Sequence, residues 1–279
     1  MIIIDMNQIS LASLMMNLNI NKTTEVDEDM VRHMILNSVR MYRSMFKEKY
    51  GEVILTYDSR HYWRRDIFPQ YKMNRKKSRE KDKLDWNNIF EALNKIKAEF
   101  KEILPYKFLE VYGAEADDII GILCKKYSTE KIMIVSGDKD FIQLQKYNNV
   151  NQYSPIIKKH INGQKPNTYI KEHILKGDTS DGIPNVLSPD HTFTDGLRQI
   201  PLSKKKIEAW VESETDMNDE VKRNFQRNQK LIDLSNTPFN LEEEILLQFD
   251  QAPCGDRSKL LNYFIHSRLK ELTESIGDF

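Results

Sequence analysis

Acidic residues stand at the ends of several segments that are typical of buried β-strands. Asp5 ends the first segment and Asp58 ends the second, while Asp138 and Asp140 follow a third within the run Ser-Gly-Asp-Lys-Asp. The carboxyl ends of parallel strands meet at one edge of a sheet, which is where such sheets bind ligands. We therefore expect these carboxylates to share one pocket.

Two further acidic groups lie outside the predicted strands. Glu115, Asp117 and Asp118 open a predicted helix, and Asp178 and Asp181 are three residues apart in Gly-Asp-Thr-Ser-Asp-Gly. A single acid at such a position is more often a turn or capping residue than a ligand. Convergence of all these elements on one edge instead indicates chemistry, because clustered carboxylates raise one another's pKa until a cation neutralises them.

The residue types around this pocket indicate which cation it would hold. Oxygen ligands without His or Cys select hard divalent ions, so we expect Mg²⁺, with Mn²⁺ as the alternative, and two ions in a set of this size. The six histidines show no spacing typical of a zinc site, and we interpret each as a surface or core residue. Cys124 and Cys254 form no CxxC pair, which argues against a disulfide framework or a thiolate site.

Between residues 60 and 83 the sequence is strongly basic. Ten Lys or Arg stand against three acids, a net charge of +7, so the rest of this neutral chain carries −7. Such a stripe suits phosphate binding, because Lys and Arg displace the counterions condensed on nucleic acid. The alternative interpretation is a solvated, charge-rich helix or linker.

Metal ions beside a basic segment indicate a phosphodiester substrate. One ion would lower the pKa of an attacking water, and the other would stabilise the leaving 3′ oxygen. Lys72 and one of Arg64 or Arg65 would neutralise charge that grows on the scissile phosphate. The aromatic residues expected to stack on unpaired bases are Tyr62, Trp63 and Tyr71. For Trp63, a role as a core anchor is the alternative.

The hydrophobic pattern predicts an α/β protein with a mostly parallel central sheet flanked by helices. Short apolar runs alternate with stretches of helical period, an order typical of such sheets. The predicted strands are residues 2–5, 53–58, 107–112, 132–136 and 149–153, and later helical patterns are 204–211, 220–234 and 258–276. We expect an α/β domain over residues 1–185 and a smaller helical region over 186–279. A composition of 39% hydrophobic and 30% charged residues excludes a membrane-spanning or disordered chain.

Several motifs occur in an order that resembles one known family. They are Ile-Asp5, Tyr-Asp58, Tyr62-Trp-Arg-Arg-Asp66, Tyr71-Lys-x-x-Arg75, Glu115-Ala-Asp-Asp118, Ser136-Gly-Asp-Lys-Asp140 and Leu175-Lys-Gly-Asp178-x-x-Asp181. Together they resemble the 5′-nuclease, or flap endonuclease, family over essentially the whole chain. The ending Leu269–Phe279 is similar to phage ribonuclease H members of this family.

This resemblance implies a 5′ to 3′ exonuclease and flap endonuclease with a PIN-like fold. Its substrates would be RNA/DNA hybrids and branched or flapped DNA, and its task the removal of RNA primers during phage DNA replication. The family also suggests a single-strand DNA-binding protein and a sliding clamp as partners. We expect a monomer in the cytoplasm of the host cell, without membrane attachment.

The resemblance also assigns roles to individual residues. The resemblance implies that the first metal is held, directly or through water, by Asp5, Asp58, Glu115, Asp117 and Asp138. The implied second set is Asp140, Asp178 and Asp181, with Asp117 or Asp118 near both. Lys72 and Arg64 correspond to basic residues at the base of the family's arch or bridge, here about residues 59–84. The expected nucleic-acid-binding residues are Tyr62, Trp63, Arg64, Arg65, Tyr71, Lys72, Arg75, Lys76, Lys77, Lys204 and Lys205.

One segment departs from the family pattern. Leu187–Leu197 replaces the glycine turn of the expected helix-hairpin-helix, so the grip on duplex is in doubt. The run Lys204-Lys-Lys206 either opens a helix that contacts phosphates or is a solvated helix start.

Two other functions fit part of the pattern. A PIN-type endoribonuclease would share the sheet and the acidic centre, but it would not need the basic segment. A non-catalytic protein that binds replication forks would leave the acids as caps and surface residues. The presence of the acids in their motif context favours the nuclease.

Overall fold

A six-stranded sheet forms the centre of the computed structural model, which describes residues 1–163, 165–213, 215–253 and 256–279. The strand order is β3-β2-β1-β4-β5-β6. The strands are β1 Ile2–Asp5, β2 Val53–Thr56, β3 Lys107–Leu109, β4 Ile132–Val135, β5 Val150–Ser154 and β6 Lys159–Ile161. Neighbouring strands are parallel except β5 and β6, which are antiparallel. The prediction of a mostly parallel α/β sheet is confirmed.

Helices cover both faces of this sheet. Within the described ranges the α-helices are α1 Met6–Asn21, α2 Glu28–Tyr50, α3 Arg64–Ile67, α4 Met73–Glu80, α5 Trp86–Ile103, α6 Ala116–Lys126, α7 Pro166–Lys176, α8 Lys204–Glu212, α9 Asp219–Ile232, α10 Phe239–Gln251, α11 Ser258–His266 and α12 Lys270–Glu274. Short 3₁₀ helices span Lys139–Lys146, Leu234–Asn236 and Ile276–Asp278. None of these described helices has the length and apolar character needed to cross a membrane.

Successive residues of β1 face two different cores. Ile2 and Ile4 pack with α1, α2 and α5, whereas Ile3 packs with α6 and α10 on the opposite face. Because both faces are covered, the strand reads as a continuous apolar run. The strand ends at Asp5, and its pairing with β2 and β4 sets where that carboxylate lies.

The C-terminal helices complete the layers of the α/β part. Leu260 and Phe264 of α11 join the core beneath α2 and α5, and Ile245 of α10 joins the core beneath α6. A third cluster packs Phe68 and Tyr71 of the basic segment against α7, α8 and α9. The basic segment is thus anchored on the helical region.

Several elements differ from the sequence-based expectation. β6 and α10 were not expected, and the helix expected over 258–276 is divided into α11 and α12. Arg268, with a φ of 55°, adopts the left-handed conformation between them. Cys124 is buried, and Cys254 lies outside the described residues.

Candidate metal centre

Seven of the nine expected acidic ligands line one cavity at the carboxyl edge of the sheet. The cavity has a volume of about 190 Å³. Its acidic lining residues are Asp5, Asp58, Asp117, Asp138, Asp140, Asp178 and Asp181. Lys72 and Arg75 are the cationic side chains that complete the lining among the described residues. The topology therefore does bring these distant carboxylates together.

Asp5 is held at the junction of β1 and α1. Its Oδ1 accepts a hydrogen bond from the backbone N–H of Gln8 (3.2 Å) and caps α1, while its Oδ2 accepts one from the Ser136 hydroxyl (3.0 Å). The Gln8 side chain in turn accepts from the backbone N–H of Gly137 (2.6 Å) and so fastens the ends of β1 and β4 together. Burial, with the nearby Asp58 carboxylate, raises the pKa of Asp5 to about 6.

Asp58 and Asp117 meet where β2 approaches the first turn of α6. Asp58 accepts a hydrogen bond from the backbone N–H of Ala116 (2.8 Å), which fixes its position beside Asp117. Burial and the Asp138 carboxylate raise the pKa of Asp117 well above its usual range. These acids therefore share one crowded anionic environment.

Asp138 and Asp140 follow β4. Asp138 accepts a hydrogen bond from the backbone N–H of Asp140 (2.9 Å) and caps the 3₁₀ helix. Burial, with the adjacent Asp140 carboxylate, raises the pKa of Asp138 to about 7. A group of acids with raised pKa values is what a cation site requires, because a bound cation stabilises the ionised forms.

Asp178 and Asp181 lie in a tight turn after α7. Oδ1 of Asp178 accepts hydrogen bonds from the backbone N–H groups of Ser180 (2.7 Å) and Asp181 (3.2 Å). Gly177, with a φ of 67°, makes this turn possible, because a Cβ there would lie 2.4 Å from the carbonyl oxygen of Ile183. The chain thus needs glycine directly before Asp178.

His173 is a functional candidate that sequence reasoning missed. One ligand atom each from Asp140, His173 and Asp178 lies within 4.8 Å of the other two, the arrangement of a metal site. The His173 Nε2 atom is buried and has no hydrogen-bond partner, although it lies 3.0 Å from Oδ1 of Asp140. Burial lowers the pKa of His173, but Asp140 and Asp178 outweigh burial and raise it. The orphaned nitrogen and the surrounding carboxylates fit a divalent ion.

Asp118 does not fit the expected role of metal ligand. It is fully buried outside the cavity, and Arg64 donates to both of its oxygens (2.8 and 2.9 Å). The Trp63 indole N–H (3.3 Å) and the Thr237 hydroxyl (2.9 Å) also donate to it. Its oxygens are therefore occupied by structural hydrogen bonds.

Glu115 also lies outside the cavity lining. Its Oε1 accepts from the Lys72 ammonium (2.5 Å). Its Oε2 accepts from Arg64 (2.9 Å) and lies 3.0 Å from the Tyr71 hydroxyl, whose single proton it shares with Asp181. Both oxygens are thus occupied by donors from the basic segment. Glu115 holds that segment against α6, a position that does not fit direct coordination of an ion.

Lys72 lines the cavity. Its Nζ lies 3.7 Å from Oδ2 of Asp181. Burial lowers the pKa of Lys72, but the Asp181 and Glu115 carboxylates raise it by more. The pKa therefore lies above its usual value and the ammonium stays charged. Arg75 pairs with Oδ1 of Asp181. Burial raises the pKa of Asp181, but Lys72 and Arg75 lower it below the usual value.

Arg64 and two of the aromatic side chains are buried rather than open to nucleic acid. Arg64 is only 2% exposed, which contradicts direct phosphate contact. Tyr71 is 2% exposed and donates its hydroxyl to Asp181 (2.8 Å), and Tyr62 is also buried, so neither can stack on a base. Trp63 packs against the core around α6, which agrees with its alternative role as an anchor.

Other basic residues of the expected nucleic-acid-binding set face solvent. Lys77 donates to the backbone carbonyl of Thr194, and Lys204 forms an i,i+4 pair with Glu208 (3.7 Å). Residues 187–197 form turns, and α8 begins only after Ser203. The exposed members of the set are Arg65, Lys76, Lys77, Lys204 and Lys205.

Family profiles match the whole length of the chain. The profile "5′-3′ exonuclease, N-terminal resolvase-like domain" matches residues 1–175. The profile "T4 RNase H, C terminal" matches residues 164–279.

Individual proteins are similar to this chain in sequence or in fold. The ribonuclease H of Enterobacteria phage T4 is 34% identical, covering 99% of this chain and 95% of that protein. A 5′-3′ exonuclease of Buchnera aphidicola is 34% identical over 54% of this chain and 51% of its own length. A phage T5 flap endonuclease, solved with DNA and metal ions, superimposes with a TM-score of 0.61 at 15% identity, covering 90% of this chain and 99% of that one. The T5 5′-exonuclease with bound zinc gives a TM-score of 0.61 at 14% identity, over 90% of this chain and 98% of that one.

Proposed function

The chain belongs to the 5′-3′ exonuclease family, and on that premise we propose that this nuclease uses two divalent ions to hydrolyse RNA/DNA hybrids and flapped DNA from their 5′ ends. The observation that carries the proposal is one cavity that seven carboxylates line together with Lys72 and Arg75. A cavity with this lining suits metal ions and a phosphate together, because the carboxylates attract cations and the two cationic side chains attract the phosphate.

The carboxylates divide into two groups by position. Asp5, Asp58, Asp117 and Asp138, at the ends of β1, β2 and β4 and the start of α6, would hold the first ion. The second would be held by Asp140, Asp178 and Asp181. When bound, Mg²⁺ or Mn²⁺ supplies Lewis acidity that activates water and stabilises the leaving 3′ oxygen. The chain contributes fixed positions for these ligands, because hydrogen bonds to Ser136, Ala116 and Ser180 hold three of them.

Lys72 and Arg75 would neutralise the scissile phosphate. Both border the acidic cavity, and both are held there by ion pairs with Asp181. Cations fixed at the place where negative charge develops stabilise the transition state more than the ground state. Arg64 would act as a positioning residue, since it holds Glu115, which in turn holds Lys72.

The exposed cations would carry the nucleic acid. Lys76 and Lys77 on α4 and Arg65 on α3 are exposed and belong to the same basic segment as Lys72 and Arg75, which line the cavity. Contacts of this kind to phosphates position a strand without reading its sequence. We extend the proposal to primer removal during phage DNA replication in the host cytoplasm, as a monomer, together with a single-strand DNA-binding protein and a sliding clamp.

The proposed function is tested by cleavage of two substrates side by side. A 5′-labelled RNA/DNA hybrid and a flapped duplex are incubated with the protein and Mg²⁺, and with EDTA. We expect short products counted from the 5′ end, or cuts at the flap junction, that disappear with EDTA and with Asp138→Asn. Internal cuts in a simple RNA strand would favour the PIN-type endoribonuclease. Cleavage that survives chelation or Asp138→Asn would overturn the proposed mechanism.

A further inference from the structure

A histidine completes the group of acids that we assign to the second ion. Asp140 lies on the 3₁₀ helix after β4, His173 on the last turns of α7, and Asp178 in the following turn. The His173 Nε2 atom is 3.0 Å from Oδ1 of Asp140 and 3.8 Å from Oδ2 of Asp178. Three elements thus converge on one point with two oxygens and one nitrogen.

The spacing of these groups is compatible with a shared ion. Nε2 is buried and has no hydrogen-bond partner, although it lies within ion-pair distance of Asp140. Ligands at about 2.1 Å from one ion lie roughly 3 Å apart when they are adjacent in an octahedral shell. The separation of 3.0 Å between Nε2 and Asp140 matches that spacing.

The side chains around this point are already oriented. Oδ1 of Asp178 accepts from the Ser180 hydroxyl (2.7 Å) and backbone N–H (2.7 Å), which turns Oδ2 toward His173. The Tyr169 ring stacks on the imidazole with centroids 5.8 Å apart and an interplanar angle of 27°. Little rotamer freedom is left for His173 to lose when it binds an ion.

We propose that His173 is a nitrogen ligand of the second ion, so that this position prefers transition ions of the Mn²⁺ class to Mg²⁺. Imidazole nitrogen suits transition ions, whereas Mg²⁺ is bound almost entirely through oxygen. The proposal rests on the proposed second metal position, but it concerns which ion that position selects. It adds a residue whose role no acidic motif indicates.

The direct test is pulsed EPR of the Mn²⁺-loaded full chain, which detects coupling between the ion and a ligand ¹⁴N nucleus. We expect this coupling in the wild-type protein and its loss in His173→Gln. His266→Gln is the matched control, because His266 is exposed on α11, and it should keep the coupling. Removal of a residue that only supports a ligand weakens metal binding roughly 10- to 100-fold. Loss of the ligand itself in His173→Gln should weaken Mn²⁺ binding at this position by at least that much.

A second variant tests selectivity and does not depend on His173→Gln folding well. His173→Asp replaces the nitrogen with an oxygen, so the ratio of Mn²⁺ to Mg²⁺ affinity should fall about 10-fold or more. No nitrogen coupling in the wild-type protein, or unchanged coupling in His173→Gln, overturns the inference. If the wild-type protein lacks this coupling but still cleaves the substrates with Mg²⁺, the proposed nuclease function stands and only the role of His173 is refuted. If neither Mn²⁺ binding nor cleavage occurs, the proposed function falls as well.

Discussion

Substitution of Asp5 by Asn should stabilise the metal-free protein at neutral pH while it removes activity. The pKa of Asp5 is raised from 3.8 to about 6, chiefly by burial and by Asp58. A raised carboxyl pKa contributes stability that is complete below about pH 4 and is lost as the pH rises through about 6. The shift of roughly two units corresponds to about 3 kcal/mol of free energy of unfolding. Asn carries no charge, so it escapes this loss, and it can keep hydrogen bonds to Gln8 and Ser136.

The measurement is urea unfolding in EDTA at several pH values between 4 and 8. The difference in free energy of unfolding between Asp5→Asn and wild type should move by about 3 kcal/mol in favour of the variant as the pH rises. Titration of the other acids largely cancels in that difference. Asp195→Asn, at an exposed site, is the control and should show no such trend. A difference that stays constant, or that moves toward wild type, would refute the assigned burial and repulsion at Asp5.

Three further predictions concern other parts of the site. Lys72→Ala should lower kcat about 10²- to 10³-fold with little change in KM, since a transition-state cation matters mainly after binding; an effect confined to KM in steady-state kinetics would contradict its role. Mg²⁺ at about 100 times its Kd should stabilise the metal-free protein by about 2.7 kcal/mol, and identical melting temperatures with and without Mg²⁺ would argue against a preformed site. Gly177→Ala should destabilise the chain by several kcal/mol in urea unfolding, because its Cβ would clash with Ile183, whereas Gly196→Ala, with a φ of 69° and open space around it, should lose only the roughly 1–2 kcal/mol of left-handed strain. Equal losses at the two glycines would remove the steric argument.

Fold class and the convergence of the acids were predictable because both follow from short-range pattern. Apolar runs such as Ile2–Asp5 mark strands that are covered on both faces, and parallel topology then sends their ends to one edge. β6 is only three residues long, Lys159–Ile161, and its pairing with β5 depends on tertiary contact. α10 begins directly after Pro238, which provides no capping side chain. Its first turn and the three Glu residues that follow do not by themselves predict the start of a helix.

Partners distant in sequence could not be predicted from the motifs. Arg64 belongs to a run of cations that suggests phosphate binding, yet its buried partners Glu115 and Asp118 lie 51 and 54 residues further along the chain. Charge counting cannot tell which cations such pairs will occupy. His173 was interpreted as a surface or core residue because it has no fixed spacing to another ligand. His173 lies five residues before Asp178, in the last turn of α7. This position is the sequence signal that could have identified it as a candidate ligand.

The carboxylate of Asp181 would couple the binding of a metal ion to the binding of a nucleic acid. Lys72, Arg75 and the Tyr71 hydroxyl all converge on its two oxygens. In the proposed mechanism, an ion bound by this carboxylate would compete with the two cationic side chains and leave them available to the phosphates of a nucleic acid. If the ion strengthens binding of the strand in this way, thermodynamic reciprocity requires that the strand strengthen binding of the ion by the same factor, typically 5- to 150-fold. Through Asp181, the affinity for the ion would depend on whether the strand is bound, and the affinity for the strand on whether the ion is bound.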